Sequence, residues 1–245
     1  MGFSSEEIRE NYWKVKEKIF DTAIRAGRKP EDIRLVVVTK AQPVSVVQAV
    51  IDAGACIVGE NYPEETAEKL PLLNFGDNPV EIHMIGHLQS RKAKIVAEHF
   101  DLLQSLDSLS LAEKMERICS AKQKILPVLL EFNVGVESSK SGWQAAKPEL
   151  WNSFYSDLEK IIELKHLSVR GLMTMPPLFE EPEHSRPYFK KLLELQENLS
   201  YRFPQVDWSE LSMGTSSDYL IAIEEGATLV RVGTAIVGQR VYKHL

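Results

Sequence analysis

Leu35-Val36-Val37-Val38-Thr39-Lys40 is the stretch on which the reading of this chain turns. Four consecutive apolar residues, three of them β-branched, run into one lysine, and Pro43 follows shortly after. A short unbroken apolar run predicts a strand buried on both faces, as in a parallel sheet covered by helices. A lysine closing such a strand has its ammonium where the sheet opens into a site. The alternative is a lysine whose stem lies over apolar surface while its head reaches water. Taken alone, the stretch leaves both readings open.

Working outward, residues 4–25 carry Ile8, Trp13, Val15, Ile19, Ala23 and Ile24 at helical spacing. Ser4 or Ser5 can cap that helix, and Gly27 with Pro30 punctuates its end. Beyond the lysine the pattern predicts a helix over 44–53, a strand over 56–59 and a helical stretch to about residue 73. A loop follows at Gly76, Asn78 and Pro79. Strands are predicted over 82–85, 102–106, 125–132, 169–173, 208–213 and 228–232. Helices are predicted over 89–99, 109–121, 184–201 and 217–225, with a long helical region from the 137–142 loop to about residue 164.

Strands alternating with helices predict βαβ units and a parallel sheet. Eight such units in 245 residues, with no linker to divide them, favour an α/β fold of one (β/α)8 TIM barrel spanning 1–245. The N-terminal helix, residues 1–26, is then expected to cover the barrel bottom.

Composition narrows the function classes. Hydrophobic residues make up 44% and charged residues 26%, with a net charge of −6 and no basic face or stripe, which argues against nucleic acid as a partner. Two cysteines, Cys56 and Cys119, make no disulfide framework or metal knuckle. The polar, acidic start is no signal peptide, and no run reaches the length of a membrane span. A cytoplasmic protein is expected. His83 and His87 have the i,i+4 spacing of a helical zinc pair, but on a strand they lie about 13 Å apart, too far for one ion. No G-x-S-x-G elbow supports a serine hydrolase.

In a barrel, reactive groups lie at the C-terminal ends of the strands. Those ends carry Lys40, Glu60-Asn61, His87, Asn133, Met173-Thr174-Met175, Ser212-Met213-Gly214 and Arg231-Val232-Gly233-Thr234. Ser212-Met213-Gly214-Thr215-Ser216 puts hydroxyls and glycine before a helix, and Gly233-Thr234 adds backbone donors. Barrels frequently bind phosphate with the loops after strands seven and eight, so these two segments are either a phosphate cradle or plain turn chemistry. A buried lysine opposite an anion site, with no metal cluster, suggests carbonyl chemistry by Schiff base. Pyridoxal 5′-phosphate (PLP) needs such a lysine, a phosphate site and a partner for its ring nitrogen. Arg231 is the candidate partner; staying protonated, it would donate there and weaken the ring as an electron sink. A PLP-free barrel using the lysine on a sugar phosphate remains a second class.

At these residues the chain resembles the pyridoxal phosphate homeostasis protein family (the YggS/PROSC family). The matching pieces are Val38-Thr39-Lys40, Gly59-Glu60-Asn61-Tyr62, 83–90, Ser139-Lys140-Ser141-Gly142, 171–175, Leu211-Ser212-Met213-Gly214 with Ser216 and Asp218, and 230–236. The resemblance covers nearly the whole chain. It implies a barrel similar to the N-terminal domain of bacterial alanine racemase, with Lys40 as the Schiff-base lysine. Ser212 and Ser216, with backbone from Met213, Gly233 and Thr234, would hold the phosphate; Arg231 would face the ring nitrogen, and Asn61 would line the pocket. The implied function is binding and buffering of PLP without catalysis, with apo PLP-dependent enzymes as recipients; a monomer is expected, because racemases dimerise to complete a site that needs a second domain and a single barrel has no such need. The alternative is a weak amino-acid racemase, which would need a second acid/base group on the opposite face of the α-carbon. Two positions depart from the family pattern. Gln42 stands where a second lysine is common, which removes a positive charge near the cofactor, and Thr215 adds a hydroxyl.

Overall fold

The computed structural model describes residues 2–77, 79–135 and 141–239. Its eight barrel strands are β1 (Arg34–Val38), β2 (Ile57–Glu60), β3 (Glu81–Met84), β4 (Leu102–Leu106), β5 (Leu126–Asn133), β6 (Leu167–Met173), β7 (Glu210–Ser212) and β8 (Leu229–Val232). All pair in parallel, in the order β4-β3-β2-β1-β8-β7-β6-β5, and a further β4–β5 pairing closes the barrel. The expected α/β TIM barrel is therefore the fold observed.

The lysine strand explains why the apolar runs do not alternate. Val36 joins Ile57, Leu102, Leu129, Met173 and Leu229 in a cluster inside the barrel. Leu35 and Val37 belong to the larger core shared with the helices. Both faces of a barrel strand are buried, so its residues are apolar except where a polar side chain has a partner to bond.

The helices are α1 (Ser5–Arg25), α2 (Val44–Asp52), α3 (Pro63–Lys69), α4 (Ala93–His99), α5 (Leu109–Ala121), α6 (Tyr155–Ile162), α7 (Arg186–Arg202), α8 (Tyr219–Glu224) and α9 (Thr234–Val237). Ser4 begins α1 with a capping box: its hydroxyl accepts from the Glu7 N–H, and the Glu7 carboxylate accepts from the Ser4 N–H.

Three sequence expectations are corrected. First, α1 does not cover the barrel bottom; it packs on the flank against α2, α8 and α9. Among the described residues, the four-residue α9 is the only helix after β8, and the outer ring has a short helix there. The buried face of α1, with Ile8, Val15, Ile19 and Ala23, fills that place. Arg28, just beyond it, donates to the carbonyls of Ile223 and Ala227 at 2.8 and 2.7 Å and anchors the chain before β1.

Second, the region after residue 142 is not one long helix. A two-residue strand, Trp143–Gln144, adds to β5, and a 3-10 turn over Pro148–Ser153 precedes α6. Its apolar residues anchor a turn rather than a helix face: Trp151 is buried and its indole N–H donates to the Ala145 carbonyl. Third, α8 starts at Tyr219 instead of 217, because the Asp218 carboxylate ties back to the N–H and hydroxyl of Thr215. Among the described residues no helix is long and apolar enough to cross a membrane, and no group of His, Cys, Asp and Glu could hold a metal ion. Cys56 and Cys119 are free thiols.

Candidate functional site

The end of β1 turns sharply. The Gln42 N–H donates to the Thr39 carbonyl at 3.0 Å, and Ala41 takes a left-handed conformation with φ 57°. Thr39 is fixed below, its hydroxyl donating to Glu60 Oε1 at 2.8 Å, and Gln42 is buried. Lys40 is thereby carried to the barrel mouth, where it lines a cleft of about 260 Å³ with Val38, Ile85, Met175, Ser216, Arg231 and Thr234.

Facing Lys40 are the loop after β7 and the start of α9. Asp218 organises the loop, accepting from the Thr215 N–H at 2.7 Å and from the Ser185 hydroxyl at 2.8 Å. Ser216 Oγ accepts from the N–H groups of Gly233 and Ala235 at 3.0 and 3.4 Å, which binds the two segments into one wall. Among the described residues no group accepts from the N–H of Ser216, Ser217 or Thr234, and all three residues line the cleft. Converging backbone donors without partners make a concavity suited to an anion.

Arg231 forms the floor. It is 3% exposed, and it donates through Nη1 to Ser212 Oγ at 2.5 Å and through Nη2 to the Thr174 carbonyl at 2.8 Å. Burial pulls its pKa down to about 10, against the opposing pull of Asp218 and Glu131, so it keeps its charge at neutral pH.

Below the floor the hydrogen bonds have a fixed direction. His83 Nε2 lies 2.9 Å from Glu81 Oε2. A carboxylate can only accept, so the imidazole proton is on Nε2 and Nδ1 accepts from Gln104 Nε2 at 2.9 Å. Gln104 Oε1 then accepts from the Ser212 hydroxyl at 2.6 Å, which leaves the serine oxygen to receive Arg231. All of His83, Gln104 and Ser212 are fully buried. In Ser212→Ala, Arg231 Nη1 and Gln104 Oε1 both lose their partner. A loss of about 2 kcal/mol is expected, read from the urea midpoint; an unchanged midpoint would mean that water or a rearranged side chain replaces the hydroxyl.

Of the residues expected at the site, the fold brings Lys40, Ser216, Arg231, Gly233 and Thr234 together around the cleft. Ser212 does not line the cleft; its hydroxyl donates to Gln104 and accepts from Arg231 inside the barrel. Met213 does not line the cleft either: its N–H donates to the Leu229 carbonyl at 3.1 Å and its side chain is buried. Asn61 stands beside the cleft rather than lining it. It packs on Gly86, where a Cβ would come within 2.6 Å of its Cγ, and its Oδ1 is buried with no partner among the described residues. Ser139 and Lys140 lie outside the described residues.

Sequence reasoning missed three residues. Gln104 sits inside the run Leu102–Leu106, and Glu131 inside Leu126–Asn133. Asp107 follows β4 and pairs with His87, its Oδ2 3.0 Å from Nδ1. A polar residue inside an otherwise apolar strand was the available signal, because both faces of such a strand are buried and a polar group there needs a partner.

Comparison with known proteins adds a second line. The model of the alanine racemase N-terminal domain matches residues 5–241. The pyridoxal phosphate homeostasis protein of Escherichia coli K12 is 38% identical over 239 residues, covering 96% of this chain and 98% of its own. That of Vibrio alginolyticus is 36% identical over 237 residues, with the same coverage of 96% and 98%. The structure of PipY from Synechococcus elongatus with PLP bound is 30% identical, with a TM-score of 0.80, covering 94% of this chain and 100% of that one. Alanine racemase of Clostridium difficile 630, in complex with cycloserine, shares the fold at 15% identity and a TM-score of 0.72, over 94% of this chain and 59% of that one.

Proposed function

This chain belongs to the pyridoxal phosphate homeostasis protein family, and from that premise we propose that it binds and buffers PLP in the cytoplasm, holding it through the Lys40 amine. The observation that carries this reading is the composition of one cleft: a lysine on one side, three backbone N–H groups with no acceptor among the described residues on the other, and a buried arginine as the floor. The residues fit the group. The N–H groups of Ser216, Ser217 and Thr234 supply donors for a phosphate, with the Ser216 hydroxyl holding their two segments together. When bound, PLP supplies an aldehyde that condenses with a primary amine.

Arg231 acts by keeping its proton. With Nη1 and Nη2 held by Ser212 and Thr174, Arg231 would offer the cofactor's ring nitrogen a permanent donor and so keep it unprotonated. A pyridine left neutral withdraws electrons weakly, which suits storage of the cofactor over carbanion chemistry. The names of the curated relatives, matched over 98% of their length, support a homeostasis role over racemisation. Monomeric function and delivery to apo PLP-dependent enzymes are part of the same proposal.

The test is the visible spectrum of the purified chain before and after borohydride, followed by peptide mass mapping. A yellow band that bleaches and a phosphopyridoxyl group on Lys40 are expected. No band after PLP is added, or an adduct confined to other lysines, would sink the assignment.

A further inference from the structure

A second cavity, of about 150 Å³, lies next to the Lys40 cleft and is lined by His87, Glu131, Asn133, Ser141 and Met175. Met175 belongs to both cavities. Glu131 is 5% exposed, and its Oε2 is buried with no hydrogen-bond partner among the described residues. The other carboxylate here is satisfied: Asp107 takes His87 Nδ1 on Oδ2 and the Ser108 hydroxyl on Oδ1 at 2.9 Å. Asn133 Oδ1 accepts from the Gly135 N–H at 3.0 Å. The cavity thus contains one buried acceptor waiting for a donor, and a buried acceptor without one is costly.

We propose that this cavity binds the ammonium group of a small primary amine, of which a free amino acid is one, with Glu131 Oε2 as its acceptor. The inference deepens the reading above: an amine held beside Lys40 is the chemical class that competes with a lysine for an aldehyde. Size and charge select the ligand. At about 30 Å³ of liquid volume per water, the space takes about five heavy atoms, enough for ethylammonium or glycine and too little for a peptide. The charged groups facing Glu131 are Asp107 after β4, His87 after β3 and Arg231 on β8. Burial first and Asp107 second push the Glu131 carboxyl up to about 7, while Arg231 and His87 pull it down. A pKa raised on folding stabilises the protein below the ordinary carboxylate range and loses that contribution as pH rises through 7. Above pH 7 the pocket therefore holds an ionised carboxylate that a cation would relieve.

The experiment is calorimetric titration of the full chain with ethylammonium chloride, glycine and sodium propionate at matched ionic strength. It is run on protein reduced with borohydride, so that condensation with an aldehyde contributes nothing. Ethylammonium and glycine are expected to bind and propionate is not. Glu131→Gln, which keeps shape and removes charge, should weaken ethylammonium at least tenfold and flatten the rise in its affinity between pH 6 and pH 8. Undetectable ethylammonium binding, equal affinity in Glu131→Gln, or binding of propionate alone would overturn the proposal. The two readings fail separately: a Lys40 adduct without ethylammonium binding removes this site only, and ethylammonium binding without a Lys40 adduct removes the cofactor assignment only.

Discussion

Lys40→Ala is expected to abolish both the visible band and the borohydride-fixed adduct, while changing the stability of the chain by less than about 1 kcal/mol. The two halves of that expectation come from different parts of the structure. Condensation with an aldehyde needs a primary amine, and the cleft lining contains Lys40 as its lysine. The strand below does not depend on the side chain, because Val36, Val37 and Thr39 carry the packing and the Thr39–Glu60 hydrogen bond holds the turn. Lys40→Arg sharpens the test. A guanidinium keeps the positive charge but does not form the covalent link, so a band surviving in Lys40→Arg would mean that charge alone holds the cofactor. The Arg231 floor and the N–H groups of Ser216, Ser217 and Thr234 are untouched in both variants. Weaker, non-covalent uptake of PLP is therefore expected to remain, read by equilibrium dialysis, and an adduct persisting at unchanged yield in Lys40→Ala would refute the role given to Lys40.

How much of this was legible in the residues depends on which physical signal each feature leaves. The barrel was legible because strands buried on both faces become unbroken apolar runs, and eight of them alternate with helices. The place of α1 was not. Amphipathic spacing says that a helix has a buried face and not which surface it meets; the ring position became available to α1 only because α9 has four residues. At the site, Lys40 and Arg231 were legible as charges ending or interrupting apolar strands. Ser212 and Ser216 look alike in sequence, both being serines two residues from Gly214. They differ in space because Ser212 is the last residue of β7 and turns into the barrel, whereas Ser216 lies beyond it. Gln104 and Glu131 were hidden for the opposite reason: a polar residue in a mostly apolar run looks like an interruption, and only the barrel shows that Gln104 meets Ser212 from across the interior.

The same interior makes Gly171→Ala the most damaging single-methyl change expected in the barrel. Gly171 has φ 148°, a conformation that L side chains rarely adopt, and a Cβ there would lie 1.9 Å from the Glu210 carbonyl oxygen. The cause is a bulge. β5 pairs Val128 with Val169 but Leu129 with Gly171, so Arg170 is an extra residue and β6 bends as it passes β7. Relief by moving β7 is blocked at both ends. Glu210 holds Arg34 and accepts from the Thr228 hydroxyl at 2.6 Å, while Met173 pairs with Ser212 and the Thr174 N–H donates to the Ser212 carbonyl at 3.1 Å. The cost is expected to reach about 4 kcal/mol or more, a fall of roughly 8–16 °C in melting temperature for a chain of this size. Gly76→Ala is the matched control: φ is 56° there, nothing lies within 4 Å of the added carbon, and only the backbone penalty of about 1–2 kcal/mol applies. Equal shifts in the two variants would show that the close approach to Glu210 contributes nothing. A large shift confined to Gly171→Ala would place the strain between β6 and β7, directly under the Thr174 carbonyl that holds Arg231.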